Sequence, residues 1–365
     1  ITVNFNQDAH LEAIEGAAFS YCQGITELKL PAVDSLGMSA FAFSKKLQTV
    51  TLGADNRIKS IPDCLFDNCV ALTGFVVPAS VTEIDERAFR FTSAMETITF
   101  AEDSQLREIG NEAFRNSGLT SFTMPDSVET IGIKPFESTR NLETVTLSKN
   151  LMNVVSDSAS IFYGCGALKA IHVPEDNHSF KSVDGVLYDV AQTIIYCFPQ
   201  AKDPTGFKLP DTLITIESHA FMQFAGETLV LPESLETISA YAFYQSTLNS
   251  IHIPKNVISI GDYAFYNNIS DDNWLKTLTF AEDSKLETIS KYAFYRNVGL
   301  KKVVLPDSVT AIGTLAFNGC TELEEVVLSA GLTKLENSTF AQCPAIRNFT
   351  MQEGLKTIAN YVMDS

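Results

Sequence analysis

Positively charged residues are scarce in this sequence of 365 residues. It has 26 Lys and Arg against 44 Asp and Glu, which gives a formal net charge of −18 at pH 7. A charge of this sign repels the phosphates of nucleic acids and the anionic headgroups of lipids. We therefore expect no nucleic-acid partner, and we interpret the charge as a source of solubility for a long, exposed surface.

Long apolar runs are also missing, although 45% of the residues are hydrophobic. No run approaches the ~18–20 residues that a membrane-spanning helix needs, and no basic segment followed by an apolar stretch opens the sequence as a signal peptide would. We therefore expect no membrane span in this segment. With 19% charged residues, the composition is that of a folded rather than a disordered chain.

Histidine is rare, and its five copies are not spaced for metal binding or catalysis. His172 and His252 occupy outward positions of strands that lie several repeats apart, so they cannot share a metal ion. The sequence shows no H-E-x-x-H motif, no phosphate-binding glycine loop and no G-x-S-x-G motif. The acidic loops at residues 101–104 and 281–284 offer two carboxylates each, which is too few for a calcium site. We expect neither catalysis nor a cofactor or metal.

A repeat marked by an Ala-Phe pair is the most prominent feature of the sequence. Most intervals between successive copies are 22 to 26 residues, and the longest interval, 59 residues, separates Phe162 from Phe221. The pair occurs intact as Ala18-Phe19, Ala40-Phe41, Ala88-Phe89, Ala113-Phe114, Ala220-Phe221, Ala242-Phe243, Ala264-Phe265, Ala293-Phe294 and Ala316-Phe317. Degenerate copies are Leu65-Phe66, Pro135-Phe136, Ile161-Phe162, Thr339-Phe340 and Val362-Met363.

Other apolar positions recur at fixed distances from the Phe. Aliphatic residues stand eight and five positions before it, as Val128 and Ile131 do before Phe136. After the Phe comes the strand pattern L-x-x-[VI]-x-[LF], often closed by Pro, as in residues 300–306. Alternating residues of a strand face one side, while the Ala-Phe stretch is too short for a helix that is stable alone.

This pattern predicts an α/β repeat solenoid of the leucine-rich type, with about fourteen units of 22 to 26 residues. We expect a parallel strand ladder on one side and short helical or 3₁₀ Ala-Phe turns on the other. One β-hairpin insert is predicted at about residues 175–205, where Asp184-Gly185 signals a turn beside strand-like residues 186–188 and 193–196. We predict a single solenoid domain over residues 1–365.

These units resemble the BspA-like leucine-rich-repeat family of bacterial surface proteins. Segments of the form P-x-S-[VL]-x-x-I-x-x-x-A-F carry the resemblance, as at residues 306–317 and 232–243, and it extends over residues 11–363. The resemblance implies an extracellular or cell-surface location and a role in adhesion. It also implies a protein partner, with host extracellular matrix as one class. The motif is specific for the fold and says far less about the ligand.

Five of the seven cysteines occupy one repeat position, three residues after the Phe: Cys22, Cys69, Cys165, Cys320 and Cys343. Other repeats place Ser, Thr or Asn there, so we interpret the position as a small buried residue. Cys320 and Cys343 belong to neighbouring repeats, whose spacing of ~5 Å would permit a disulfide. We expect free thiols instead.

Tyrosines that flank the Ala-Phe pair form the first candidate binding surface. They cluster in three consecutive repeats as Tyr241, Tyr244, Tyr263, Tyr266, Tyr292 and Tyr295. The same positions earlier in the chain hold Arg87, Glu112, Lys134, Arg90, Arg115 and Glu137, which predicts partial exposure. The patch is either an interaction site or the lateral packing of rings between repeats.

Threonines on the outward side of the predicted strands form the second candidate surface. They include Thr97, Thr99, Thr144, Thr146, Thr277 and Thr279. Threonine is a good strand former, so this row is explained either by strand propensity alone or by a flat, uncharged platform for a partner.

We therefore predict a surface or secreted binding protein that acts as a monomer and recognises a protein or glycan partner through exposed rows. The alternative is a structural spacer or a self-associating scaffold, because neither end of the sequence shows the polar capping repeat that a solenoid needs. An enzyme such as a glycan hydrolase would need two converging carboxylates in a cleft, and the acids here are scattered over a regular surface.

Overall fold

The computed structural model describes residue 3 and residues 5–6, 8–154, 161–267 and 275–364. Ile1, Ser365 and Asn268, which occupies the Cys position of its repeat, lie outside the described residues. The chain divides into two compact units, Ile1–Leu187 and Tyr188–Ser365, and each unit is described by itself. The single domain over residues 1–365 stays a prediction.

The first unit is built from short strands in every coil of the repeat. They are β1 His10–Ile14, β2 Glu27–Lys29, β3 Ala32–Leu36, β4 Thr49–Thr51, β5 Ser60–Ile61, β6 Gly74–Val77, β7 Glu83–Ile84, β8 Thr97–Phe100, β9 Glu108–Ile109, β10 Ser121–Thr123, β11 Thr130–Ile131, β12 Thr144–Thr146, β13 Asn153–Val154, β14 Ala170–His172 and β15 Phe180–Val183. Strand β16, Val186–Asp189, lies at the division between the units.

The second unit repeats the same design. Its strands are β17 Ile194–Cys197, β18 Thr215–Ile216, β19 Thr237–Ile238, β20 Ser250–Ile253, β21 Ser259–Ile260, β22 Thr277–Phe280, β23 Thr288–Ile289, β24 Lys302–Val304, β25 Ala311–Ile312, β26 Glu325–Val327, β27 Lys334–Leu335, β28 Asn348–Thr350 and β29 Thr357–Ile358. Strands β17, β18, β19, β21, β23 and β25 form one continuous run of hydrogen-bonded neighbours.

A typical coil contributes two strands, so each unit has two kinds of parallel ladder. The longer strand follows the L-x-x-V-x-L pattern, and Phe122 of β10 pairs with Val145 of β12. The shorter strand ends on the aliphatic residue five positions before the Phe, and Ile84 of β7 pairs with Ile109 of β9. The predicted repeat solenoid with a parallel strand ladder is confirmed. The second ladder was not foreseen.

The prediction of an α/β fold with helical or 3₁₀ Ala-Phe turns is wrong. The Ala-Phe segments are chains of tight turns, and among the described residues only Ile161 and Phe162 adopt a 3₁₀ conformation.

Hydrogen bonding in these segments explains why no helix forms. Arg87, Phe89 and Phe91 donate their backbone N–H groups to carbonyls of the next coil at 2.8–2.9 Å, while Ala88 and Arg90 donate within their own turn. A helix would need every N–H for a carbonyl four residues back. Arg87 and Phe91 also have φ of 58°, in the left-handed region. The bonds between successive turns therefore form a third ladder between coils, which we call the turn ladder.

Stacked Phe rings form the core of each unit. Successive rings lie nearly parallel: the centroids of Phe89 and Phe114 are 5.4 Å apart at 6°, and those of Phe243 and Phe265 are 4.9 Å apart at 6°. These four side chains are at most 4% exposed. The Phe position is thus a continuous apolar column in each unit, which one coil could not bury alone.

The longer repeats interrupt the ladder of long strands. The next buried aliphatic residue after Phe100, the last inward residue of β8, is Leu106, six positions later. In the following coil, Val128 comes four positions after Met124. The same two-residue excess follows β4 and β22. The ladder of long strands stops after each of these three strands, and it also stops after β14. The loop amide of Ala101 donates to the carbonyl of Val77 in the preceding coil at 3.1 Å.

The long interval before Phe221 holds β15, β16 and β17. Asp184 and Gly185 join β15 to β16 with φ of 49° and 77°, which matches the two left-handed residues of a tight hairpin turn. After β16, the carboxylate of Asp189 accepts hydrogen bonds from the amides of Thr193 and Ile194, both at 2.7 Å. Strands β16 and β17 lie where the sequence predicted strand-like residues.

Candidate functional site

Six tyrosines form two columns beside the Ala-Phe turns of three consecutive coils in the second unit. The first column precedes Ala and the second follows Phe. We call the six the tyrosine array: Tyr241, Tyr263 and Tyr292 in the first column, and Tyr244, Tyr266 and Tyr295 in the second.

The turn ladder sets the position of the first column. Tyr241, Tyr263 and Tyr292 all have φ of 56–58°, which L-residues rarely adopt. A left-handed residue costs about 1–2 kcal/mol. Each of the three donates its backbone N–H to the next coil, at 2.8, 3.0 and 3.1 Å, and these bonds offset that cost. The side chains therefore project at the spacing of the coils.

The rings of each column stack face to face. In the first column, Tyr263 lies 4.8 Å from Tyr241 and 4.6 Å from Tyr292, with interplanar angles of 3° and 7°. The imidazole of His219 continues this column, 4.9 Å from Tyr241 at 3°. Sequence analysis assigned no role to His219. Its place directly before Ala220 was the signal that it belongs to the column.

The second column is equally regular, and its rings contact those of the first. Tyr266 lies 5.0 Å from both Tyr244 and Tyr295. Within one coil the two tyrosines are tilted, at 5.4–5.6 Å and 51–57°. The array is thus one packed surface rather than six separate rings.

All six side chains of the array are half-buried. Burial, and then the neighbouring Tyr292 and Tyr241, raise the pKa of Tyr263 above its usual value. Both faces of the inner ring, Tyr263, are covered by its neighbours in the column. The packing of rings between repeats, one of the two interpretations of the sequence, is present. The binding role stays a prediction.

In the first unit, the same two columns carry charges. Arg90 donates to both carboxylate oxygens of Asp67, at 3.0 and 2.7 Å, and the Asp67 side chain is only 4% exposed. Glu112 accepts hydrogen bonds from Arg87 at 3.2 Å and from Arg115 at 3.1 Å. Burial alone would raise the pKa of Glu112, but these two bonds outweigh it and lower the pKa.

The threonines of the second candidate surface lie on separate strands and do not form one continuous row. Thr144 and Thr146 of β12 lie opposite Ser121 and Thr123 within an unbroken ladder, and Thr97 and Thr99 lie on β8, where the ladder stops. In the second unit, Thr277 and Thr279 of β22 pair with residues of β20. There the Thr279 hydroxyl lies 2.9 Å from Nδ1 of His252. The first unit therefore does not present one uniform threonine row.

The interruption beside β8 opens a groove of about 660 Å³. The groove is lined by Thr97, Ile98, Thr99, Phe100, Ala101, Glu102, Ser104, Ser121, Thr123, Met124, Pro125, Asp126 and Ser127. Only the threonines were expected there. The two extra residues between Phe100 and Leu106 were the sequence signal that could have located the other groove residues.

The cysteine position has a role that sequence analysis missed. Cys69 donates its thiol to the carbonyl of Phe41 at 3.1 Å, and Cys165 donates to Phe136 at 3.1 Å. Thr139 makes the same bond to Phe114 at 2.9 Å. The position therefore requires a small hydrogen-bond donor, which is why Cys, Ser, Thr and Asn alternate there.

The cysteines are free thiols, and burial suppresses the ionisation of several. Burial raises the pKa of Cys69 and of Cys197 to about 12. Cys320 hydrogen-bonds to Cys343, which lowers the pKa of Cys343, while burial and the same contact raise the pKa of Cys320. A thiolate is the reactive form of cysteine, so the raised pKa indicates a structural role for Cys69 and Cys197.

In the described ranges, no group of three or more His, Cys, Asp or Glu side chains could hold a metal ion. Within the same ranges, no helix has the length and apolarity to cross a bilayer.

A family model described as the BspA type leucine rich repeat region matches residues 2–105, 107–183, 193–283 and 249–365. A leucine-rich repeat protein from Eubacterium ventriosum has a similar structure, with a TM-score of 0.78 and 25% identity over 88% of this chain and 83% of that one. A leucine rich cell surface protein from Faecalibacterium prausnitzii gives 0.64 and 25% over 93% and 82%.

The pneumococcal vaccine antigen PcpA gives a TM-score of 0.54 and 24% identity over 96% of this chain and 73% of that one, a likeness of fold alone. A search of curated proteins gave no match.

Proposed function

Because the chain belongs to the BspA-type leucine-rich-repeat family, we propose that it is a non-enzymatic surface or secreted protein that binds a protein partner through the tyrosine array. The six stacked rings carry this proposal. They form a half-buried aromatic surface where the first unit has charges. Tyrosine is enriched at protein interfaces because it combines an apolar ring with a hydrogen-bonding tip.

The stacking favours a protein over a sugar as the partner. Sugars bind aromatic residues mainly against ring faces, and the face of Tyr263 is occupied on both sides, by Tyr241 and Tyr292. The part-exposed surface of the array suits the apolar side chains of a protein partner. Ordered rings also lose little conformational entropy on binding.

Biolayer interferometry tests the proposal. The chain is immobilised and exposed to fibronectin and fibrinogen, as representatives of host matrix proteins. A triple variant with Tyr241→Ser, Tyr263→Ser and Tyr292→Ser should lose at least tenfold in affinity, with its fold checked by circular dichroism. The corresponding triple Tyr→Phe variant keeps the stacked rings and separates the hydroxyls from the apolar surface.

Three results bear on the proposal. Binding that is lost in the folded serine variant supports it. Binding that survives in this variant moves the site away from the array, and the threonine pairs become the next surface to test. Absence of binding, together with oligomers that grow with concentration in light scattering, favours the self-associating scaffold.

A further inference from the structure

Two cysteines of the second unit lie side by side in consecutive coils. Cys320 and Cys343 occupy the same repeat position, three residues after the core Phe of each coil. The Phe rings of these two coils stack at 5.3 Å and 5°. The amide of Gly319, directly before Cys320, donates to the carbonyl of Ala341 at 2.9 Å. The two turns are therefore in register, which places equivalent Cα atoms about 5 Å apart.

This spacing suits a covalent link between the two side chains. Of the five cysteines at the repeat position, Cys320 and Cys343 alone stand in consecutive coils. Cys69, for comparison, is followed by Thr92 at that position of the next coil. A disulfide joins Cα atoms about 4.4–6.8 Å apart, and the coil spacing falls within this range. The two thiols already interact, because Cys320 hydrogen-bonds to Cys343.

The two thiols differ in access and in acidity. The side chain of Cys343 is 6% exposed, whereas that of Cys320 is 0% exposed. The hydrogen bond from Cys320 lowers the pKa of Cys343, whereas burial raises the pKa of Cys320. Because the thiolate is the attacking form in thiol–disulfide exchange, Cys343 is the thiol that reacts first. Cys320 then lies next to the sulfur that has reacted.

We propose that Cys320 and Cys343 form a redox pair, which a small aliphatic disulfide oxidises to a disulfide bond between two consecutive coils. The Cys343 thiolate attacks one sulfur of the reagent, whose S–S bond breaks and releases one thiolate. Cys320 then loses its proton, attacks the Cys343 sulfur of the mixed disulfide and releases the second thiolate. The two cysteines together lose two electrons and two protons, and the reagent takes them up as two thiols.

The new bond closes a loop of residues 320–343 and therefore restrains the separation of the two coils. The amide of Gly319 reports this restraint, because its hydrogen bond crosses between them. Hydrogen exchange at Gly319 should slow roughly tenfold on oxidation. The inference does not depend on the role of the tyrosine array.

Peptide mapping of the oxidised chain tests the proposal. The full chain is incubated with oxidised glutathione under native conditions, alkylated and cleaved with trypsin, which separates residues 303–334 from residues 335–347. These peptides carry Cys320 and Cys343, respectively, and they should appear joined. Titration of the oxidised chain should find five free thiols in place of seven.

Matched serine variants serve as controls. Cys343→Ser and Cys320→Ser should each abolish the joined peptides. Cys69→Ser should retain them, because Cys69 has no cysteine in the next coil. Serine occupies the same repeat position at Ser44 and Ser117, so the three variants should keep the fold.

The outcomes are distinct. Joined peptides in the native chain and in C69S, lost in C343S and C320S and reversed by dithiothreitol, would support the redox pair. Seven free thiols after oxidation would overturn it, as would glutathione that remains on Cys343 or disulfides that join other cysteines. Failure of the tyrosine-array hypothesis would leave these results unchanged, because the serine variant of the array keeps both cysteines.

Discussion

The two units fill the same pair of surface columns with different chemistry. Beside the Ala-Phe turns, the first unit carries Arg90, Glu112 and Arg115 in a network of ion pairs, and the second carries stacked tyrosines. The backbone is alike in both, because Arg87 and Tyr241 each have φ of 58°. The turn ladder therefore fixes where side chains stand without fixing what they are.

The spacing of the coils explains why each solution works. Side chains on adjacent coils lie about 5 Å apart, so a charge in a column needs a partner of opposite sign in the next coil or the next column. Glu112 meets that need by contacting both Arg87 and Arg115. Tyrosine needs no complementary partner, since identical rings stack at this distance. Tyrosines therefore follow one another in successive coils of the second unit without such partners, whereas Arg90 and Arg115 share the carboxylate of Glu112.

The largest expected effect comes from the Phe column, in which the two units are alike. Phe89→Ala and Phe243→Ala should each destabilise their own unit by about 3–5 kcal/mol, because each removes a fully buried ring. Hydrogen exchange should show faster amide exchange in the coils next to each substitution. A much smaller loss in one unit would mean that the two cores are not equivalent.

Arg90→Met should have the next largest effect and should act on the charged columns. It leaves the Asp67 carboxylate buried without its bidentate partner, which should cost about 2–3 kcal/mol in denaturant unfolding. Lys149→Met is the control, because its pair with Asp126 is exposed and should be worth less than about 1 kcal/mol. Equal losses for the two variants would contradict the importance of burial.

Tyr263→Ala should cost about 1–2 kcal/mol, because it removes stacking on both ring faces. Unlike the loss in Arg90→Met, this loss should be the same at low and high salt, since no charge pair is broken. Unfolding measured at the two salt concentrations checks both variants together. A marked salt dependence for Tyr263→Ala would show that the array is held by charges after all.

The smallest effect concerns pH in the first unit. Burial, and then the acids Asp63, Glu83 and Glu108, raise the pKa of Asp85 to about 6 from 3.8. The folded state therefore binds this proton more tightly than the unfolded state, and the contribution of Asp85 to stability should rise as pH falls from about 7 to 4. Asp85→Asn should stabilise the chain at pH 7 by no more than about 1 kcal/mol, because the group is partly exposed and screened. Unfolding curves at pH 7 and pH 5 should show this gain shrinking at the lower pH.

Much of the fold was predictable because the repeat is strict. The aliphatic positions, such as Val128 and Ile131, lie buried as the pattern indicated. The turn geometry was not predictable, because a short Ala-Phe stretch fits a helical turn equally well until its amides find carbonyls on the next coil. The donor role of Cys165 was hidden for the same reason, since its acceptor belongs to a different repeat.

The candidate surfaces likewise combine features that the sequence predicted with features that it did not. The sequence placed the tyrosines at two repeat positions in consecutive coils, and this alone predicted that they would lie side by side. It left open whether the rings would pack on one another or serve a partner, and it did not predict that His219 would join the column. The groove beside β8 lies where the ladder stops after a repeat with two extra residues, but the length of a repeat alone does not show whether the next strand is bonded.

By itself, the sequence determined the repeat length, the buried positions and the residues of each exposed row, because these follow from periodicity along one chain. Only the tertiary structure decided which backbone groups pair between coils, which side-chain faces remain open and where the ladder of long strands is interrupted. Those outcomes depend on contacts between residues more than twenty positions apart, such as Phe89 with Ala113. Such contacts exist only once the coils are stacked.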